Sequence, residues 1–351
     1  MSLFAQKDEC NFTSESTKNI NVGWQRLFRA LFLVSIFLGF SLIISLVVGY
    51  RTLDFTLLRQ DELARSLFFE LRLPRVLLAG ILGASLGSVG ACLQAFFRNP
   101  LAEPFTLGVS GGGTLGASLA IALGWGINLG GIPIVFVAAF AGAAGAAAVV
   151  YHLSRSGNTV MPGTLLLAGV VVNLIASAGV ILIQYTADYT RALQILRWTI
   201  GTIDIVGFDR ILYMFLFLLP GWFVLLVLSR DLHLMAMGED SAASLGVNIR
   251  RCERLVYLAS CLVVGIAVAE GGTIAFVGLI VPHGVRLIFG EDVRLVVPCS
   301  FIAGAGFLML ADSIARTVLG SVELPVGAVT AVVGGITFLG LLRRQRRLSA
   351  I

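Results

Sequence analysis

Only two of the 351 residues are lysine, Lys7 and Lys18, and neither follows a glycine. A phosphate-binding loop requires Gly-Lys-Ser/Thr, with the lysine on the nucleotide phosphates. The chain therefore holds no nucleotide-hydrolysing motor of that kind. Charge is scarce altogether: Asp, Glu, Lys and Arg make up 13% of the residues, where a soluble domain carries about a quarter. The three histidines, His152, His233 and His283, lie far apart. The five cysteines, Cys10, Cys92, Cys252, Cys261 and Cys299, form no CxxC. This spacing supports neither a metal centre nor a disulfide framework, and most of the cysteines read as small buried apolar residues. No paired carboxylates and no nucleophile with a base stand out in the apolar runs, which argues against a membrane enzyme. Nothing in the chain points to nucleic acid as a partner.

What is present is apolar. Hydrophobic residues make up 57% of the chain, in runs long enough to cross a bilayer, for which ~20 residues suffice. The period-two alternation and turn signals of a membrane barrel are missing. The expected fold is an all-α polytopic membrane protein of about ten transmembrane helices. The spans are placed at about 27–50, 73–97, 107–127, 132–153, 162–186, 208–230, 253–270, 274–289, 293–318 and 324–342. The third holds Gly111-Gly112-Gly113 and is expected to be partly unwound, and Glu270-Gly271-Gly272 reads as a tight turn between the seventh and eighth. An N-terminus inside puts most of the 25 lysines and arginines in cytoplasmic segments, including the basic end at 343–347. Both termini are then cytoplasmic, in a cell membrane. Residues 1–22 are polar and read as a disordered tail, 23–343 as the membrane domain and 344–351 as a basic tail. The first apolar run is too long for a signal-peptide core and is expected to stay uncleaved.

Within this frame a few residues stand out. Gly80, Gly83, Gly87 and Gly90 recur at helical spacing, which suits close helix contacts where lipid supplies no hydrophobic drive between helices. Arg72 and Arg75 flank Pro74 at the outer start of the second span. Asp312 and Arg316 are four apart in the ninth and share a helix face, so they are expected to pair. Asn99-Pro100-Leu101-Ala102-Glu103-Pro104 breaks the helix at the inner end of the second span. The longest cytoplasmic segment, 229–254, holds a stretch from Ser241 to Val247 suited to one or two helical turns, with Glu239 or Asp240 near its start, where negative charge suits the helix dipole.

The ordered string RLPRVLLAGILGASLGSVGACLQAFFRNPLAEPFTLGVSGGG (72–113) resembles the permease subunit of ATP-driven type II importers for iron–siderophores, haem and vitamin B12, the FecCD/BtuC type. The resemblance recurs in LLLAGV (165–170), LGV (245–247), AFVGLIVPHGVRL (275–287), LADSIAR (310–316) and ELPVGAVTAVVGG (323–335), and covers about residues 27 to 343. It implies a permease with no cofactor of its own, working with two ATP-binding subunits, a second permease copy or a related one, and an external or periplasmic solute-binding protein. It implies that Gly238, Glu239, Asp240, Leu245, Gly246 and Val247 belong to the loop that docks on the ATPase. It further implies that Arg72, Arg75 and Arg316 meet acidic residues of the binding protein, and that Asn99 and Leu101 narrow the inner mouth. Some members carry hydroxyl residues just before the fifth span, where this chain has Met161-Pro162-Gly163. A ferric siderophore is the expected ligand, with vitamin B12 or haem as alternatives. The competing reading from the residues is a secondary transporter. It would need an intramembrane relay of ionisable groups, and Asp312 is the one carboxylate well inside a predicted span.

Overall fold

A computed structural model describes the backbone of residues 5–48, 62–126, 128–129, 132–156, 159–204, 207–320 and 322–348. Residues 1–4, 49–61 and the last three residues lie outside the described set, as do the side chains of 5–22, 341–342 and 344–348. Among the described residues there are twelve helices: α1 (Ala5–Val47), α2 (Glu62–Phe96), α3 (Val109–Ala122), α4 (Ile134–Ser154), α5 (Pro162–Thr186), α6 (Tyr189–Ile200), α7 (Phe208–Met237), α8 (Glu239–Ser244), α9 (Ile249–Gly271), α10 (Val277–Phe289), α11 (Val293–Thr317) and α12 (Val326–Leu348). Seven are long and apolar enough to cross a membrane, and three shorter apolar ones, beginning at Val109, Val277 and Val326, complete the expected ten. The backbone of 5–22 continues the first span as helix. That segment contains no Gly or Pro before Gly23, and extending a formed helix needs no new nucleus.

Local chemistry sets the helix ends. Pro162 begins α5, where a missing N–H costs nothing. Asp188, Asn248 and Asp292 cap α6, α9 and α11, each side chain accepting a backbone N–H of the first turn. The core forms where helices approach closely. A Cβ on Gly83 would overlap the carbonyl oxygen of Gly304, and one on Gly87 that of Ser300, so α2 and α11 touch backbone to backbone. Gly90 and Gly278 bring α2 and α10 together in the same way. The expected packing role of the glycine series in α2 is what the structure shows.

Three expectations change. The Gly111–Gly113 run is not unwound: α3 is helical throughout, because Gly112 lies against Gly142 of α4 and Gly111 against Asn173 of α5, and these neighbours hold the flexible backbone. The tight turn at Glu270–Gly272 is not one, since α9 continues to Gly271. Gly271 packs on Leu82, nine residues along α2 from Leu73 and thus about 14 Å deeper. The seventh and eighth spans therefore meet inside the membrane. The third change is α6, which descends from the outer side and ends at Gly201 beside that break. Thr202 N donates to Gly271 O (3.1 Å), Gly327 N to Gly201 O (3.1 Å) and Thr273 Oγ1 to Thr199 O. Non-helical backbone at membrane depth is tolerated only when protein groups satisfy it, and here three chain breaks satisfy one another. The 13-residue α10, about 20 Å long, starts at this level and spans only the inner half.

Candidate functional site

At the outer end, α2 and α11 bring the predicted arginines together around one carboxylate. Asp312 is 1% exposed. Arg75 Nη2 lies 3.1 Å from its Oδ1, and Arg316 Nε 2.9 Å from its Oδ2. The second contact is off the N–H direction and so is ionic rather than a directed hydrogen bond. Arg75 Nη1 also reaches Glu323 Oε2 at 2.8 Å. Arg316 Nη2 donates to Ser45 O and Ser313 Oγ, both at 3.3 Å, and Arg72 Nη1 to Leu46 O at 2.9 Å. Asp312 and Arg316 thus pair as their spacing predicts. Arg75 and Arg316 are buried and bound to carboxylates of their own chain, where the sequence reading had them facing outward. Arg72 is partly exposed.

At the inner end, Asn99 and Leu101 form a tight turn. Asn99 Oδ1 accepts Leu101 N at 3.0 Å, and Leu101 is 49% exposed. Beside them Arg98 has a left-handed backbone (φ 49°) and donates from Nη2 to Met235 O at 2.9 Å and to Glu239 at 3.0 Å. This contact joins the turn to the loop after α7. That loop is shorter than 229–254, because α7 runs on to Met237 and α9 starts at Ile249. Gly238 (φ 140°) makes the corner, and α8 begins at the acidic pair Glu239 and Asp240. Ala242 is buried, Leu245 is 66% exposed, Gly246 (φ 87°) closes the helix and Val247 N returns to Ala242 O at 3.0 Å. A second inner contact links α7 to the turn before α11: His233 lies 3.6 Å from Asp292. The hydrogen bond from Arg294 holds the Asp292 carboxyl below its ordinary range.

Several polar contacts were not legible as sites. Gln94 Nε2 donates to Gly278 O at 3.1 Å, and its oxygen accepts Arg286 Nη1. Glu103 accepts the backbone N–H of Phe276, a non-glycine residue at φ 68°. Arg210 holds the buried Glu270 at 2.9 Å. Asn173 donates to Phe105 O and accepts Gly111 N at 2.9 Å. Near the mid-membrane break, Ser110, Thr114, Asn173, Gln184, Thr199 and Thr273 line a cavity of about 410 Å³ that carries hydroxyl and amide groups and no charge. Among the described residues no group of three or more His, Cys, Asp or Glu is placed to hold a metal.

Residues 27–344 match the FecCD transport family. The chain is 35% identical over 320 residues to the hemin transport system permease HmuU of Yersinia pestis, covering 91% of this chain and 95% of the relative. It is 38% identical over 324 residues to the vitamin B12 import permease BtuC of Pectobacterium atrosepticum, covering 91% and 94%. An uncharacterized ABC transporter permease of Bacillus subtilis, YvrB, is 37% identical over 289 residues, or 82% of this chain and 81% of that one. Among solved structures, a metal-chelate type ABC transporter in an inward-facing conformation superposes with a TM-score of 0.79 at 32% identity, over 90% of this chain and 99% of the other. PsaBC from Streptococcus pneumoniae, at 18% identity and a TM-score of 0.53, shares the fold.

Proposed function

The chain belongs to the FecCD transport family and is a multi-pass membrane permease of an ATP-driven importer, and from that premise we propose that it conducts a ferric siderophore handed over by a solute-binding protein. The observation that carries this reading is the uncharged cavity at the mid-membrane break. A ferric chelate wrapped by its ligand presents mainly carbonyl, hydroxyl and amide groups. Hydroxyl and amide side chains exchange hydrogen bonds with such a surface without the grip of an ion pair, and conduction requires binding weak enough to release. Similarity to a metal-chelate type transporter supports the same reading. Haem and vitamin B12 are the second reading, favoured by the names of HmuU and BtuC.

In the proposed assembly two ATPase subunits work on a pair of permeases. The loop of Gly238, Glu239, Asp240, Leu245, Gly246 and Val247 meets the ATPase, with the exposed Leu245 at its tip. Asn99 and Leu101 narrow the inner mouth. Arg72, Arg75 and Arg316 at the outer end meet acidic side chains of the binding protein, since a guanidinium fork pairs bidentately with carboxylate. The test is reconstitution with the ATPase and binding protein in liposomes, following ATP-dependent uptake of ⁵⁵Fe-siderophore, haem and cobalamin in parallel. Uptake of the siderophore alone is expected. Uptake of cobalamin or haem with none of the siderophore would overturn the ligand and leave the importer intact.

A further inference from the structure

Beneath the coupling loop, between α7 and α9, lies a groove of about 430 Å³. Its membrane-facing part is apolar: Phe223 and Val227 on α7 and Leu255 on α9 line it, and the first two are exposed. Its cytoplasmic part carries Arg230, Asp231 and Arg251. Phe223 and Arg230 are seven residues apart on one helix, about 10 Å along its axis. Leu255 and Arg251 are one turn apart on the other. Both walls thus change from hydrocarbon-compatible to cationic in the same direction and over the depth at which a bilayer changes from acyl chain to headgroup. The guanidinium of neither arginine makes an ion pair or hydrogen bond among the described residues, although other arginines here, such as Arg98, Arg210 and Arg294, have partners. Asp231 offsets one charge, while Arg250 and Arg254 add to the field from the first turns of α9.

We propose that this groove is a binding site for an anionic diacyl phospholipid of the cytoplasmic leaflet, its phosphate between Arg230 and Arg251 and an acyl chain along Phe223, Val227 and Leu255. Guanidinium forks suit phosphate oxygens, and basic pockets between membrane helices on the cytoplasmic side bind anionic headgroups. An occupant wedged between the end of α7 and the start of α9 braces both ends of the loop that joins them. The site is independent of the transported ligand.

Native mass spectrometry of the full-length chain, titrated with phosphatidylglycerol or phosphatidylcholine, tests it. The wild type should retain phosphatidylglycerol preferentially. Arg230→Gln with Arg251→Gln should weaken retention about fivefold per arginine removed. Val227→Trp, which fills the apolar part and leaves the charge alone, should also lower it. Arg26→Gln with Arg29→Gln removes the same charge from an exposed cytoplasmic stretch of α1 and should leave retention near wild type. Equal losses in the two double variants, or no preference between the lipids, would overturn the proposal. Unchanged lipid retention with loss of ATPase association in the groove variants would also overturn it, and assign the groove to the partner protein.

Discussion

Glu103 shows how a single side chain ties two depths of this molecule together. It belongs to the loop between α2 and α3, and its carboxylate accepts the N–H of Phe276 at the start of α10. Burial raises its pKa, and the Phe276 N–H opposes that rise. A carboxyl whose pKa is raised on folding favours the folded state when protonated. Its contribution is therefore fully present below the unfolded pKa and is lost as pH rises through the folded one. Thermal unfolding in detergent should show this: the wild type should gain stability relative to Glu103→Gln as pH falls from neutral toward acid. The Gln variant keeps an acceptor and should remain folded at neutral pH, whereas Glu103→Ala strands a buried N–H and should cost about 1–3 kcal/mol. Equal stability of the Ala and Gln variants would mean that Phe276 needs no partner. Nothing in the sequence singles out this contact, because its two residues are 173 positions apart. Asp312 and Arg316 were legible because four residues on a helix fix their geometry. The addition of Arg75 and Glu323 to that pair was not, since it depends on how α2 meets α11.

At the scale of elements, long apolar periodic segments were readable: the fifth span was placed at 162–186, the limits the structure gives. The errors fall where a helix stops for tertiary reasons. A glycine pair signals an end without giving its depth, so the break after Gly271 was placed at the surface. The amphipathic α6 is absent from the expected spans because it is too polar to read as one, although Asp188 before it is a good cap. Its own Arg191 donates to Ala122 O at 2.7 Å, at the end of α3, and this contact fixes it in place. Close packing gives a prediction here. Gly304→Val would force α11 away from α2, and overpacking of such a contact costs about 1–3 kcal/mol. The variant should unfold at lower temperature than Gly335→Val, where the added carbon meets open space. Arg98 gives another. Its pair with Glu239 is exposed on both sides and worth only ~0.2–1 kcal/mol, so Arg98→Glu should barely change stability. If this contact carries movement of α8 to the inner turn, the variant should raise ATP hydrolysed per ligand transported, and Glu239→Arg in the same chain should restore the ratio. Normal coupling in Arg98→Glu would reduce the pair to a surface contact.

For the whole molecule, the helix order places both described ends on one side and gathers three chain breaks at mid-depth, where the ends of α6 and α9 face the starts of α10 and α12. The ends of α6 and α9 and the start of α12 are joined at this level by backbone hydrogen bonds, Thr202 N to Gly271 O and Gly327 N to Gly201 O, well below the outer cluster. The inner mouth is then expected to take two arrangements while the Arg75–Asp312–Arg316 cluster stays closed. A transition requires that something bind the two states differently, and nucleotide on the partner subunits is that input. Cysteine in place of Leu101, in a chain stripped of its native cysteines, should react with a membrane-impermeant thiol reagent from the cytoplasmic side, since Leu101 is 49% exposed. Trapping nucleotide on the ATPase should change the labelling rate at Leu101→Cys and leave Ser313→Cys, buried in the outer cluster, unreactive throughout. Labelling of Leu101→Cys only from outside would invert the topology. A rate indifferent to nucleotide would make the segment a fixed turn, held by the Asn99 side chain on Leu101 N, and would move the gate elsewhere along the pathway.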